Sequence, residues 1–210
     1  EVREAGVACA FLSFREDGLD DGGAPGGRHR DLSRRMFQAV FQVVATLLLV
    51  LVGATASAAD VLAIAYRHPD GGGYNRTWAG SGTPAAVVHE GRQVLAAGQG
   101  GTYCCGYTFA VAMQTLADRG LLVGKPYDAV KRFQKLWYGA TELDDDTLCT
   151  LAVETLGVGR AVPLDEAQPG DFVQLWRTNG SGHSVIFLDW AVDETSGDRV
   201  GFRYRSSQGS

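Results

Sequence analysis

Pro169-Gly170-Asp171-Phe172-Val173-Gln174-Leu175-Trp176, followed beyond Thr178-Asn179-Gly180-Ser181-Gly182 by His183-Ser184-Val185-Ile186-Phe187-Leu188, decides the fold class. Pro-Gly-Asp is turn chemistry, and the apolar run behind it reads as a strand. The glycine-rich segment is a hairpin loop, and the second apolar run returns alongside the first. Asp193 to Asp198 turns the chain again, and Val200, Phe202 and Tyr204 alternate on a third strand. Strands joined by short turns in this way make an antiparallel meander.

The pattern upstream is helical. In Tyr107 to Arg119, Phe109, Met113 and Leu116 recur at spacings of four and three, and Gly120 is the stop. Pro126 opens a second helix with Val130, Phe133 and Trp137 on one face and Gly139 at its end. Asp144-Asp145-Asp146 is expected to cap a third, which carries Leu148, Leu151 and Thr155 on one side and stops at Gly157. Acidic residues suit a helix N-terminus. A cation site there needs further oxygen ligands at matching spacing, and none accompany the three. Helices first and a meander afterwards predict an α+β fold. Val61 to Tyr66 is expected as a short strand, Pro69 to Gly82 as loop, and Ala85 to Ala97 as either a short helix or a strand. No internal repeat is evident.

The N-terminal part reads differently. Phe37 to Val52 is a nearly unbroken apolar run, with Arg34-Arg35 before it and the A-x-A cleavage pattern Ala56-Ser57-Ala58 after it. Together these predict a secretory signal cut after Ala58, with no stable membrane span once it is removed, over the alternative of a single membrane anchor, for which the run is a little short. Ser33-Arg34-Arg35-Met36-Phe37 resembles the twin-arginine export motif, which points to the periplasm, the cell envelope or the medium. Residues 1–35 are expected to be a leader or an over-extended start with Met36 as the true beginning. The division expected is 1–58 leader and signal, 59–98 N-terminal extension and 99–210 catalytic domain. The fold is read without residues 1–58.

Composition excludes one class of partner. The 210 residues carry a net charge of −5, which gives no electrostatic footprint for a nucleic acid. The 28 Gly, many in short clusters, predict long surface loops. A monomer is expected.

The cysteines carry the chemistry. Of Cys9, Cys104, Cys105 and Cys149, the first lies in the leader, so an odd number remains after cleavage and at least one thiol stays unpaired. Cys149 sits in a helical pattern and suits simple packing. A Cys105–Cys149 disulfide would leave Cys104 free. Cys104 stands behind Gly100-Gly101 just before a helix, whose partial positive charge favours a thiolate. His183 begins a strand after a glycine-rich hairpin, where its side chain can reach a cleft. A metal is not expected, since adjacent Cys104 and Cys105 rarely both bind one tetrahedral zinc. No cofactor is expected. His68 and His89 have no chemical context. Trp176, Phe187, Trp190, Phe202 and Tyr204 are core or cleft lining, or sugar-stacking groups.

These segments resemble a known family. Gly101-Thr102-Tyr103-Cys104-Cys105-Gly106 is similar to the D-C-S-G nucleophile motif of NlpC/P60 hydrolases. Pro169-Gly170-Asp171-Phe172-Val173 resembles their P-G-D-L/F-V segment, and Gly182-His183-Ser184-Val185-Ile186-Phe187-Leu188 their G-H-V-x-I-Y-L strand. The order agrees, over Gly98 to Gln208. The resemblance implies a papain-like α+β fold, helices packed on a C-terminal meander, and cleavage of an amide bond in peptidoglycan or another peptide by way of a thioester. Cys104 is then the nucleophile and His183 its base. In such families a third group on the next strand orients the imidazole. Gln208 is the candidate, with Ser206 and Ser207 as weaker acceptors; otherwise Gln208 is a solvated tail residue.

Tyr103 stands where the family has Asp, and Cys105 where it has Ser. The second departure leaves both thiols as candidates: Gln99 lies six residues before Cys105, the spacing of papain's oxyanion Gln, whereas the C-x-G alignment points to Cys104. Two further readings use the same fold: a non-catalytic module that grips wall peptides or a partner, and an acyltransferase. No separate wall-targeting module is visible.

Overall fold

The computed structural model describes residues 7–11, 61–69, 73–142, 147–176 and 181–208. The expected signal segment, the Asp144–Asp146 cap and the Thr178–Gly180 loop lie outside these. In chain order the elements are β1 (Val7–Phe11), α1 (61–66), β2 (Val87–His89), β3 (Arg92–Leu95), α2 (Cys104–Asp118), α3 (Tyr127–Trp137), α4 (Leu148–Leu156), β4 (Gly159–Val162), β5 (Phe172–Trp176), β6 (Gly182–Val192) and β7 (Arg199–Arg205). Helices and two antiparallel sheets agree with the α+β expectation.

The meander is present. β5 pairs with β6 from Phe172↔Ile186 to Trp176↔Gly182, and β6 pairs with β7 from Ile186↔Arg205 to Val192↔Arg199. β5 and the first half of β6 are buried on both faces, which is why they run apolar without alternation, whereas β7 is exposed or half-buried along its length. Phe172 and Ile186 enter the larger core with Phe109, Leu116, Phe133 and Trp137 from α2 and α3. Val173, Val185 and Phe187 face a second cluster with Val162, Trp190 and Phe202. Each such large side chain contributes roughly 1.5–3 kcal/mol on burial. α4 ends as its sequence predicts: Gly157 is left-handed at φ 67°, and the N–H of Val158 closes back on the Val153 carbonyl at 2.9 Å.

Three expectations change. Residues 61–66 are helical, not a strand. Val61, Ile64 and Ala65 are the buried ones, at helical spacing, and a short apolar run does not distinguish the two periods. Arg205 of β7 fixes the end of this helix, donating to the carbonyls of Ala65 (3.3 Å) and His68 (2.6 Å) and to Tyr107 Oη (3.0 Å). Residues 85–97 contain the β2–β3 hairpin. Its Glu90-Gly91 turn takes φ of 49° and 70°, the positive values of a type I′ turn. Finally, the sheet has five strands in the order β4-β1-β5-β6-β7, not three. Its second strand, β1, comes from the segment set aside as leader. The pairing of β1 on both sides, Ala8↔Val162 and Ala8↔Val173, carries no signature in five residues of short apolar sequence.

Pro169-Gly170-Asp171 is the turn that seats β5 beside β6. Gly170 N–H donates to the Phe187 carbonyl (2.9 Å), and Phe187 N–H donates to the Asp171 carbonyl (2.8 Å). The Asp171 carboxylate accepts from Gln168 N–H at 2.8 Å, yet burial pushes its pKa up to about 6, against the Gln168 bond and the charge of Arg160. A carboxyl whose folded pKa exceeds its unfolded value gives its full stability below the unfolded pKa, and loses it as pH rises through the folded pKa. Asp171→Asn keeps an acceptor for Gln168 and removes the charge. Thermal melts are expected to show a gain on the order of 1–3 kcal/mol at pH 7.5 and none at pH 4. An equal gain at both values contradicts this account.

Candidate active site

The site forms where the first turn of α2 meets the start of β6. The chain reaches α2 through a fixed approach. Thr102 N–H donates to the Gly73 carbonyl at 2.6 Å, and Asn75 N–H donates to the Thr102 carbonyl at 2.9 Å. Tyr103 N–H donates to the Gly82 carbonyl at 2.9 Å. Gly106, the third residue of α2, lies against that same carbonyl. A Cβ there would overlap the Gly82 oxygen and come within 3.0 Å of Thr83 N. The glycine of the Cys-Cys-Gly motif is thus set by a backbone crossing, not by chemistry.

Cys104 and Cys105 are the first two residues of α2 and both are partly buried. The Cys104 thiol is drawn well below the ordinary thiol range. The largest cause is a hydrogen bond from Cys105; His183, by hydrogen bond and charge, and the N–H of Ser184 add to it, while burial opposes. Cys105 is pushed up, by the hydrogen bond to Cys104 and by burial. Of the two, Cys104 is the thiol favoured as thiolate, because His183 and the N–H of Ser184 act on it. The structure brings Cys104 and His183 together.

Gln208 is not the third member. It is exposed, and its Oε1 accepts from Tyr204 Oη at 3.2 Å. His183 is 5% exposed, and its Nε2 is buried without a hydrogen-bond partner. The Tyr204 ring meets the imidazole edge-on at 5.8 Å. The physical reason is the path of the chain after β7. Ser206 Oγ donates to the Ser184 carbonyl at 2.7 Å, Thr102 Oγ1 donates to Ser207 Oγ at 2.7 Å, and Ser207 Oγ donates to the Thr102 carbonyl at 3.2 Å. Two serines expected as weak acceptors for the imidazole instead clasp the residue after His183 and the residue two before Cys104. That clasp spends the segment and turns Gln208 outward.

Other candidates fall away. The Gln99 side chain is exposed, and its carbonyl accepts from Asn75 Nδ2 at 3.0 Å. Cys149 is buried in the core, its N–H donating to Gln174 Oε1 at 3.3 Å. Cys104, Cys105 and Cys149 are all free thiols, so no Cys105–Cys149 disulfide forms. His89 Nε2 lies 2.6 Å from the Lys125 carbonyl, a structural role. Among the described residues no three His, Cys, Asp or Glu side chains gather as a metal site, and no helix is long and apolar enough to cross a membrane.

Sequence reasoning missed the aromatic wall. Tyr138 Oη donates to the Ser81 carbonyl at 3.0 Å, and burial, then the charge of the thiols and of Tyr103, raises its pKa. Burial, then Cys105, raises that of Tyr103, whose Oη has no hydrogen-bond partner. Only the Asp-to-Tyr departure at position 103 hinted at this wall. Comparison of the chain with models of known protein families, with curated proteins and with solved structures gave no match.

Proposed function

We propose that the chain is an exported cysteine hydrolase of the NlpC/P60-like, papain-like type, cleaving an amide bond in peptidoglycan peptides. The observation that carries this reading is the contact of His183 and Ser184 N–H with a Cys104 thiol already drawn towards thiolate at a helix start. A helix that opens on the nucleophile, followed by an antiparallel sheet that presents the base, is the arrangement the family resemblance implies. His183 holds the thiol proton while the Cys104 sulfur attacks the amide carbonyl. The N–H of Cys104, at the helix start where no intrahelical acceptor is available, faces the oxyanion. His183 then protonates the leaving amine, and water releases the acid from the thioester.

One observation favours the alternative of a non-catalytic binding module: Nε2 of His183 has no orienting acceptor. The two readings part on one experiment. The protein is incubated with purified peptidoglycan and with model amides, and new amine termini are counted. The hydrolase reading expects them to accumulate, together with labelling of Cys104 by a thiol-reactive acyl probe. Absence of both, with retention of wall fragments on the protein, establishes the binding module instead.

A further inference from the structure

We infer that the outer face of Trp78 is a stacking platform for a pyranose ring, placing the saccharide end of a substrate beside the nucleophile. Trp78 is 66% exposed and sits at φ 56°, a backbone region costly for a bulky side chain. Among the described residues the other non-glycine residue with positive φ is Glu90, accounted for by its hairpin turn; Trp78 directly follows the Arg76–Thr77 turn and belongs to no hairpin. Instead the segment around it is wrapped on a buried Asn75. Asn75 Oδ1 accepts from Thr77 N–H (2.9 Å) and Thr77 Oγ1 (2.7 Å), and its Nδ2 donates to the carbonyls of Ala79 (2.9 Å) and Gln99 (3.0 Å). The backbone is thereby locked on both sides of Trp78 and tied to the approach to Cys104.

The indole itself is fixed from beneath. Tyr103 stacks on its inner face, centroids 4.9 Å apart and planes at 24°, and Tyr74 meets it edge-on at 5.9 Å. Tyr103 immediately precedes Cys104. An aromatic plane is thus held rigid, one face covered by the residue that precedes Cys104 and the ring largely exposed. Core packing does not explain an exposed ring in a disfavoured conformation; a ligand with a flat apolar face and a polar rim does. A pyranose presents such a face through its axial C–H groups. The choice of sugar over an aromatic peptide side chain rests on the hydrolase reading, since wall peptides are borne on amino-sugar strands. The existence of the platform does not.

The test uses the intact protein and three probes: the N-acetylglucosamine–N-acetylmuramic acid disaccharide, the same disaccharide bearing its peptide, and the peptide alone. Calorimetry and saturation-transfer NMR are expected to detect the disaccharide on the wild type, about tenfold weaker binding in Trp78→Ala, and recovery in Trp78→Phe, with folding checked by circular dichroism. In turnover, the kcat/KM preference for the sugar-bearing peptide is expected to fall to about one in Trp78→Ala. The platform is overturned if the wild type does not bind the disaccharide, if Trp78→Ala binds it equally, or if an aromatic dipeptide takes the same face in preference. If neither peptide is cleaved, the hydrolase reading fails while the binding measurements still decide the platform.

Discussion

Under the proposed hydrolase reading, Cys104→Ala is expected to lower kcat/KM for amide cleavage on the order of 10⁴-fold or more, because the acyl intermediate forms on its sulfur. Cys105→Ala is expected to behave differently. Cys105 donates to the Cys104 sulfur and is the largest influence holding that thiol low, so its removal raises the Cys104 pKa. As pH falls through the raised value, thiolate is lost earlier. The variant should therefore alkylate with iodoacetamide more slowly than wild type at pH 6 and approach it at pH 9. At neutral pH turnover is expected to fall only as far as the raised pKa exceeds 7, each unit above it costing a factor of ten in thiolate. Cys105→Ser keeps a donor and should recover part of it. The reverse pattern, with Cys105→Ala inactive and Cys104→Ala active, makes Cys105 the nucleophile and removes the role given to His183.

Gly106→Ala is expected to be among the most damaging single-methyl additions at the described glycines. The clash is with backbone atoms, so no rotamer relieves it. The Gly82–Thr83 segment cannot retreat easily, because the Gly82 carbonyl holds Tyr103 N–H and the Thr83 carbonyl holds Gly98 N–H at 2.8 Å. Nor can it move inward, since the Tyr103 ring fills the space beside the Gly82 Cα. Overpacking at such a crossing costs about 3 kcal/mol or more. For a chain of this size that is a fall of roughly 10 °C in Tm. The Gly82 carbonyl also orients the residue before Cys104, so activity should fall further than stability alone accounts for. A variant with wild-type Tm and turnover contradicts the crossing.

The residues explain which parts could be read in advance. The Phe109–Met113–Leu116 stripe, the glycine stops and the turn chemistry of Pro169-Gly170-Asp171 are local signals, and the helices and the meander followed from them. Cys104 and His183 were legible because each sits at an element boundary with a recognisable motif. What failed was non-local. Val61–Tyr66 was ambiguous until Arg205, 140 residues on, capped it as a helix. Gln208 was chosen by its acceptor chemistry, yet the bonds of Ser206 and Ser207 to distant Ser184 and Thr102 decided where it points. Asn75 looked like one more loop residue; its four hydrogen bonds join Thr77, Ala79 and Gln99, and nothing in its neighbours announces them.

β1 leaves a problem of maturation. It is antiparallel to β4 on one side and to β5 on the other, so those two run parallel to each other with one strand's width, about 10 Å between axes, separating them. Under the export reading, a cut after Ala58 severs β1 from the chain that carries its ladder partners. The product is then a nicked protein of two chains, the short one holding β1 in its ladders with β4 and β5 and against α4. Should it depart, the vacancy opens in mid-sheet, as a slot with an unpaired edge on either side that can take up any extended segment presenting alternate N–H and C=O groups. The intact mass of the mature protein, one chain or two, tells whether such a cut occurs and leaves that slot filled.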